Sequence, residues 1–306
     1  VRCIDSVARG LGQLSGEIIV VDNASTDGSV DRLRKCDAVQ VIRRSANGGF
    51  AAGTNDAARH ASGRALILLN PDTECASAAL EQLARYLEEH PDVAAVGPTL
   101  LHSDGRPQRS AWRGYPGLAA AFVDALYLWK APTLPGVRQS EVDISSGRVG
   151  QDVDHILGAC MAIPRPAWEA IGPLDDGYFL FLEETDWCYR MRRAGWRVYH
   201  LPGIRVYHLQ GKSKEKSPVK AWIEYYRSLY MFFKKNRSAL SYYVLRAGKV
   251  LKLVVNLLLV SAGIVCTLGM NKGLVRHYRI YSGLLKWHVK GCPTGDGLAG
   301  KQPASW

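Results

Sequence analysis

Residues 65–74 read ALILLNPDTE, five apolar positions running into Asn70, Pro71, Asp72 and Glu74. A short unbroken apolar run marks a strand buried on both faces, as in a parallel sheet. Its polar tip lies where an open α/β sheet meets its ligands, beyond the carboxyl ends of the strands. Working outward, the same pattern recurs. Residues 17–21 (EIIVV) end in Asp22 at a second such tip, and residues 39–42 and 93–96 are further strands. Helices fall between them: one capped by Ser25 or Asp27, a small-residue helix over 50–61 after the Gly-rich turn at 47–49, and one over 77–89. This alternation predicts an α/β fold, a Rossmann-like, mostly parallel sheet with flanking helices.

Residues 103–152 are less regular and predict a loop-rich crossover. Regular structure returns over 155–163, followed by helices over 166–171 and from Glu183 to Gly195, a good C-terminal stop. Residues 196–200 and 205–208 read as two short strands, and from Pro218 onwards the chain reads as helical. The expected division is an α/β domain over 1–215 and a helical, basic region over 216–306. There are no repeats and no low-complexity segment.

Composition narrows the function. Of 306 residues, 47% are hydrophobic and 22% charged, which is ordinary for a globular chain. The seven cysteines are scattered and never form a CxxC pair. That argues against a disulfide framework or a structural zinc, and fits a reducing compartment. No secretory signal is read in the opening residues. The net charge of +11 is uneven: residues 201–306 hold 18 Lys and Arg against 3 Asp and Glu. A basic end calls for an anionic partner, and no nucleic-acid-binding pattern accompanies it, which favours an anionic membrane surface. Residues 251–270, LKLVVNLLLVSAGIVCTLGM, fit either a membrane-contacting helix, spanning or interfacial, or a buried helix of the appendage. The aromatic residues Trp222, Tyr225, Tyr226 and Tyr230 fit membrane contact or simple packing equally.

Three clusters carry chemistry. Asp72 and Glu74 at a strand tip suit a divalent cation such as Mg²⁺ or Mn²⁺, although N-P-D is also good turn chemistry. Glu183, Glu184 and Asp186 open a helix, where acidic residues complement the dipole. Three in four positions exceed what capping needs, and crowded carboxylates suit a general base. His208 stands at a strand end, where a histidine is usually structural; His200 has the same local appearance.

In order along residues 1–235 these segments resemble the family-2 glycosyltransferases of GT-A fold, above all the rhamnosyltransferase-like branch. VVDNASTDGS (20–29) resembles the family's nucleotide-binding turn and NGGFAAGTN (47–55) its N-x-GF-x-x-G-x-N segment. LLNPDT (68–73) stands where the family has its metal motif, and GACMAIPR (158–165) resembles its small-residue segment. FLEETDWCYR (181–190) is similar to its acidic helix start, and HLQGKS (208–213) to its H-x-x-G-x-S.

The resemblance implies an inverting glycosyltransferase. Nucleotide contacts are expected from Asp22, Asn23, Asn47, Gly49, Phe50, Asn55 and Asn70, and metal contacts (Mg²⁺ or Mn²⁺) from Asp72, His208 and Glu74. Glu184 is the expected base, with Glu183 as the alternative and Asp186 orienting the acceptor or the helix start. By family branch the donor is dTDP-rhamnose and the acceptor a lipid-linked or membrane-proximal glycan of a cell-surface polysaccharide. The protein is then expected at the cytoplasmic face of the inner membrane, peripheral or single-span. The family's first strand would precede Val1, so the chain is expected to begin within the first helix, at residues 2–8. An inactive relative that binds a membrane or partner without catalysing is the alternative.

Overall fold

The computed structural model describes residues 2–34, 36, 38–125, 140–141, 150–209 and 217–299, with backbone alone for 122–125 and 140–141. The chain forms two compact units. The first takes in the described residues of 1–115, 140–176 and 183–211; the second those of 116–139, 177–182 and 212–306.

The first unit opens with α1 (Arg2–Leu11), then β1 (Ile18–Asp22), α2 (Ser29–Leu33), β2 (Val39–Arg43) and α3 (Gly49–His60). β3 (Ala65–Leu69), β4 (Thr73–Cys75), α4 (Ala79–Glu89) and β5 (Val93–Leu101) follow, with β5 buried along its whole length. Thus the strand predicted over 93–96 runs to nine residues. From the predicted crossover, residues 126–139 and 142–149 lie outside the described part. The rest holds β6 (Ala111–Arg113), α5 (Leu118–Ala125), β7 (Ser140–Glu141) and β8 (Gln151–Val153); α5 belongs to the second unit. β9 (His155–Ile156), β10 (Cys160–Pro164), α6 (Arg165–Ile171), α7 (Glu183–Arg193) and β11 (Arg197–His208) complete the first unit.

β1 and β2 pair in parallel. A larger sheet has the order β3-β10-β5-β11-β4, with β8 added on β11. β3, β5 and β11 share one direction, while β10 is inserted antiparallel between β3 and β5. Two apolar clusters fill the unit: Leu66, Leu68, Ile163, Trp168 and Trp187 in one, and Leu80, Leu83, Val96, Leu100 and Val206 in the other. The two short strands read over 196–208 are one strand, β11, whose register shifts between Leu201 and Arg205 where Pro202 and Gly203 interrupt the ladder. Gly195 ends α7 at φ 89°, a left-handed position that favours glycine.

The second unit holds α8 (Pro218–Asn236), α9 (Ala239–Cys266) and α10 (Lys272–Val289). Ser238 caps α9 and Asn271 caps α10, each accepting a backbone N–H through its side-chain oxygen. Tyr226 and Tyr230 are buried, so packing accounts for them, whereas Trp222 is exposed.

His200 lies in the middle of β11 with no exposed surface and its Nε2 3.3 Å from Thr99 Oγ1. Burial lowers its pKa from 6.5 to about 4. Between those values the unfolded chain holds a proton that the folded chain does not, so stability falls as pH drops from 6.5 towards 4. The loss approaches roughly 3 kcal/mol for this residue. Buried His155, lowered to about 3, acts in the same direction. His200→Gln is expected to flatten the fall in urea midpoint between neutral pH and pH about 4.5; an unchanged slope would refute the assignment.

Candidate active site

The last residues of β3 and β11 and the first residues of β4 and β10 lie at one end of the large sheet. β4 runs antiparallel to the last residues of β11, with Thr73 opposite His208 and Glu74 opposite Tyr207. The Leu209 N–H donates to the Asp72 carbonyl at 2.8 Å and extends the pairing. This register places Asp72 Oδ1 3.4 Å from His208 Nε2.

Gln108 decides what that nitrogen presents. Its Nε2 donates to the carbonyls of Leu101, at 3.1 Å, and His208, which orients the amide. Its Oε1 then faces His208 Nδ1 at 3.0 Å, and an amide oxygen only accepts. Nδ1 therefore carries the ring proton, and in the neutral ring Nε2 points a lone pair at the Asp72 carboxylate. Both His208 and Gln108 are buried.

Glu74 does not join this pair. It stands opposite Tyr207 and pairs with Arg2 at 3.3 Å. Among the described residues no three His, Cys, Asp or Glu side chains gather as a metal site.

Asn70 ties the tip of β3 to the start of β10, its N–H donating to Ala159 O at 3.0 Å. Next to Ala159, Gly158 leaves room for two neighbours. A Cβ built there would lie 3.4 Å from Cβ of Glu184 and 3.5 Å from the Phe50 ring. The small-residue segment, the acidic helix start and the NGGF turn are thereby brought together.

Glu183, Glu184 and Asp186 occupy the first turn of α7, and all three are buried. The positive end of the helix offsets part of the cost of burying them. Asp186 pairs with Arg190 at 3.1 Å, whose guanidinium also donates to the carbonyls of Ile171 and Pro173 at 2.9 and 2.8 Å. This network locks the helix to the segment before it. Phe181 and Leu182, just ahead of α7, both hold positive φ, 73° and 67°. Such backbone is uncommon outside glycine and gathers at functional sites.

The remaining predicted residues cluster around β1 and α3. Asp22 is buried at the tip of β1; both its oxygens accept from Ser25 N–H, and Arg43 Nε lies 3.7 Å away. Asn23 Nδ2 donates to Gly49 O at 3.1 Å, and Asn47 Oδ1 accepts from Gly49 N–H at 3.0 Å, holding the turn at Gly49 (φ 84°). Gly53 makes that close approach possible, since a Cβ there would sit 3.1 Å from Asn23 Nδ2. Asn55 is engaged otherwise: its amide is doubly bonded to Leu174, donating at 2.8 Å and accepting at 3.0 Å. That is an internal clamp between α3 and a loop 119 residues on.

Gln108, Arg190 and Leu174 escaped the sequence reading. A glutamine in a segment without periodicity carries no local signal. Of HLQGKS, residues 210–213 lie outside the described part; His208 is the residue placed at the site.

Residues 1–132 match the model of Glycosyl transferase family 2. Over 236 residues the chain is 25% identical to an N-acetylglucosaminyl-diphospho-decaprenol L-rhamnosyltransferase of Mycobacterium tuberculosis, covering 72% of this chain and 75% of that one. It is 23% identical over 231 residues to a dTDP-rhamnosyl transferase, RfbF, of Shigella flexneri, covering 72% and 71%. The mannosyltransferase PcManGT from Pyrobaculum calidifontis, solved with GDP-Man and Mn²⁺, superposes with a TM-score of 0.53 at 16% identity, over 94% of this chain and 81% of that one. In fold the chain is of the GT-A type, and in sequence it is similar to family-2 glycosyltransferases, rhamnosyltransferases among them.

Proposed function

We propose that this glycosyltransferase, which takes its sugar from a nucleotide donor, inverts the anomeric centre, with dTDP-rhamnose as donor and a lipid-linked or membrane-proximal glycan as acceptor. The reaction would take place at the cytoplasmic face of the membrane, in the synthesis of a cell-surface polysaccharide. Residues 1–215 would carry the chemistry and 216–306 the membrane contact. The observation that carries the reading is the buried acidic start of α7 packed beside Gly158, at the sheet end where Asp72 meets His208. Relatives named as rhamnosyltransferases, one acting on a diphospho-decaprenol substrate, support the choice of sugar and acceptor.

A carboxylate oxygen facing an imidazole lone pair is a donor set that fits Mn²⁺ or Mg²⁺, with substrate oxygens and water completing the shell. Asp72 and His208 would hold the ion, and Gln108 would keep His208 in the ligating tautomer. When bound, the ion supplies positive charge against the departing diphosphate. Asp22 and Asn23, with the Asn47–Gly49 turn, would line the nucleotide pocket, Phe50 would pack beside it, and Asn70 would hold the β3 tip that carries Asp72.

Glu184 would take the proton from the acceptor hydroxyl as that oxygen bonds to the anomeric carbon and the diphosphate leaves from the opposite face. Attack from that side inverts the centre. Glu184 is preferred over Glu183 because it faces Gly158. Asp186, committed to Arg190, would position the helix start.

Thermal shifts with dTDP, UDP and GDP, each with and without Mn²⁺, test the donor site. A metal-dependent rise with dTDP that disappears in Asp72→Ala is expected; a rise indifferent to metal or to that substitution would contradict the reading. Gln108→Leu is expected to weaken Mn²⁺ binding about 10–100-fold in a protein of native circular dichroism. Unchanged affinity in that folded variant would remove Gln108 from the account.

A further inference from the structure

α9 turns its most apolar side outward. It is 28 residues long with a mean hydropathy of 2.0 over its most apolar window, yet only 11% of that window is buried. Leu251, Val254, Val255, Leu258, Leu259 and Val265 are all exposed, Leu258 at 66% and Leu259 at 62%. Their spacing of three and four is that of one helix face, and Leu240, Tyr243 and Val244 continue it upstream. No charged residue interrupts this stripe.

α10 folds back along α9. At the open end Tyr230 of α8 meets both helices, with Tyr242 near the start of α9 at 5.9 Å and Trp287 near the end of α10 at 6.2 Å. At the closed end the turn passes through Leu268 and Gly269, both at positive φ, and a Cβ at Gly263 would lie 3.0 Å from the Leu274 side chain. α10 carries exposed Lys272, Arg276, Arg279 and Lys286 along its length.

Length alone would let α9 cross a bilayer, since 28 residues rise about 42 Å against a hydrocarbon core of about 30 Å. Its partner forbids it. A spanning α9 would draw the cations of α10, starting at the turn itself, into hydrocarbon, where each is costly. An apolar stripe beside a cationic helix is instead the pattern of an element lying in the plane of an interface. The cations select the lipid, because anionic headgroups hold basic residues close to the surface.

We infer that the α9–α10 hairpin lies in the plane of an anionic lipid surface, the stripe from Leu251 to Val265 sunk among the acyl chains and Lys272, Arg276 and Arg279 at the headgroups. The inference deepens the proposed membrane-proximal reaction by fixing the mode of attachment, and rests on that reading only for its biological setting.

Flotation of the full chain with phosphatidylcholine vesicles, with and without phosphatidylglycerol, tests it, alongside Leu258→Asp combined with Leu259→Asp. Both leucines face outward, so the double variant is expected to fold. The wild type should float with the anionic vesicles, weaken in high salt, and be released by alkaline carbonate; the double variant should lose binding by more than about tenfold. Resistance to carbonate would mean a span, and equal flotation of the double variant would mean a different surface. Equal binding to neutral vesicles would remove the cations from the account. No flotation, with a dimer that the double variant breaks, would make the stripe an interface between copies. The dTDP thermal shift of the double variant should match wild type, so a failed anchor is distinguishable from a failed donor site.

Discussion

The pairing of β4 with the end of β11 is the constraint on which the site depends. Three residue pairs, Val206 with Cys75, Tyr207 with Glu74 and His208 with Thr73, join parts of the chain far apart in sequence. Because side chains alternate along a strand, a slip of one residue would turn His208 away from Asp72 and put Tyr207 in its place. The buried Val206 and Cys75, in the cluster with Leu100 and Leu80, make that slip expensive. A core-packing preference thus sets the distance between two polar groups.

Close packing does the same on the other side of the site. Gly158 lets Glu184 and Phe50 approach one small residue, and Gly53 lets Asn23 sit over α3. Arg190 then ties α7 to the Ile171 and Pro173 carbonyls while neutralising Asp186. Burying three carboxylates in one helical turn is tolerable only with such partners and with the positive helix end.

What was legible in the sequence follows from how local each signal is. Apolar runs such as ALILL and EIIVV read directly as β3 and β1, and Gly195 marked the end of α7. The antiparallel insertion of β10 did not show, because its run of buried residues looks alike in either direction. Pro202 and Gly203 made β11 look like two strands. His208 and His200 were indistinguishable by neighbours; only register sends one to Asp72 and the other into the core beside Thr99. Gln108 and Leu174 act through contacts 100 and 119 residues away, for which sequence offers no period or motif. Glu74 looked like part of the metal motif because spacing alone says nothing about its pairing with Arg2.

The proposed sugar transfer and the proposed lipid contact would have different physical bases in the two units. The first offers buried acidic groups at one end of the sheet, the second an outward apolar stripe flanked by cations. The central claim is that Glu184 is the base at a donor site that holds its nucleotide independently of it. The direct measurement compares Glu184→Gln with wild type for dTDP binding by calorimetry and for rhamnose transfer from dTDP-rhamnose to a prenyl-diphosphate-linked N-acetylglucosamine. The account predicts unchanged nucleotide affinity with transfer reduced at least about a hundredfold, the range of a lost general base. Transfer persisting near the wild-type rate in Glu184→Gln would contradict it.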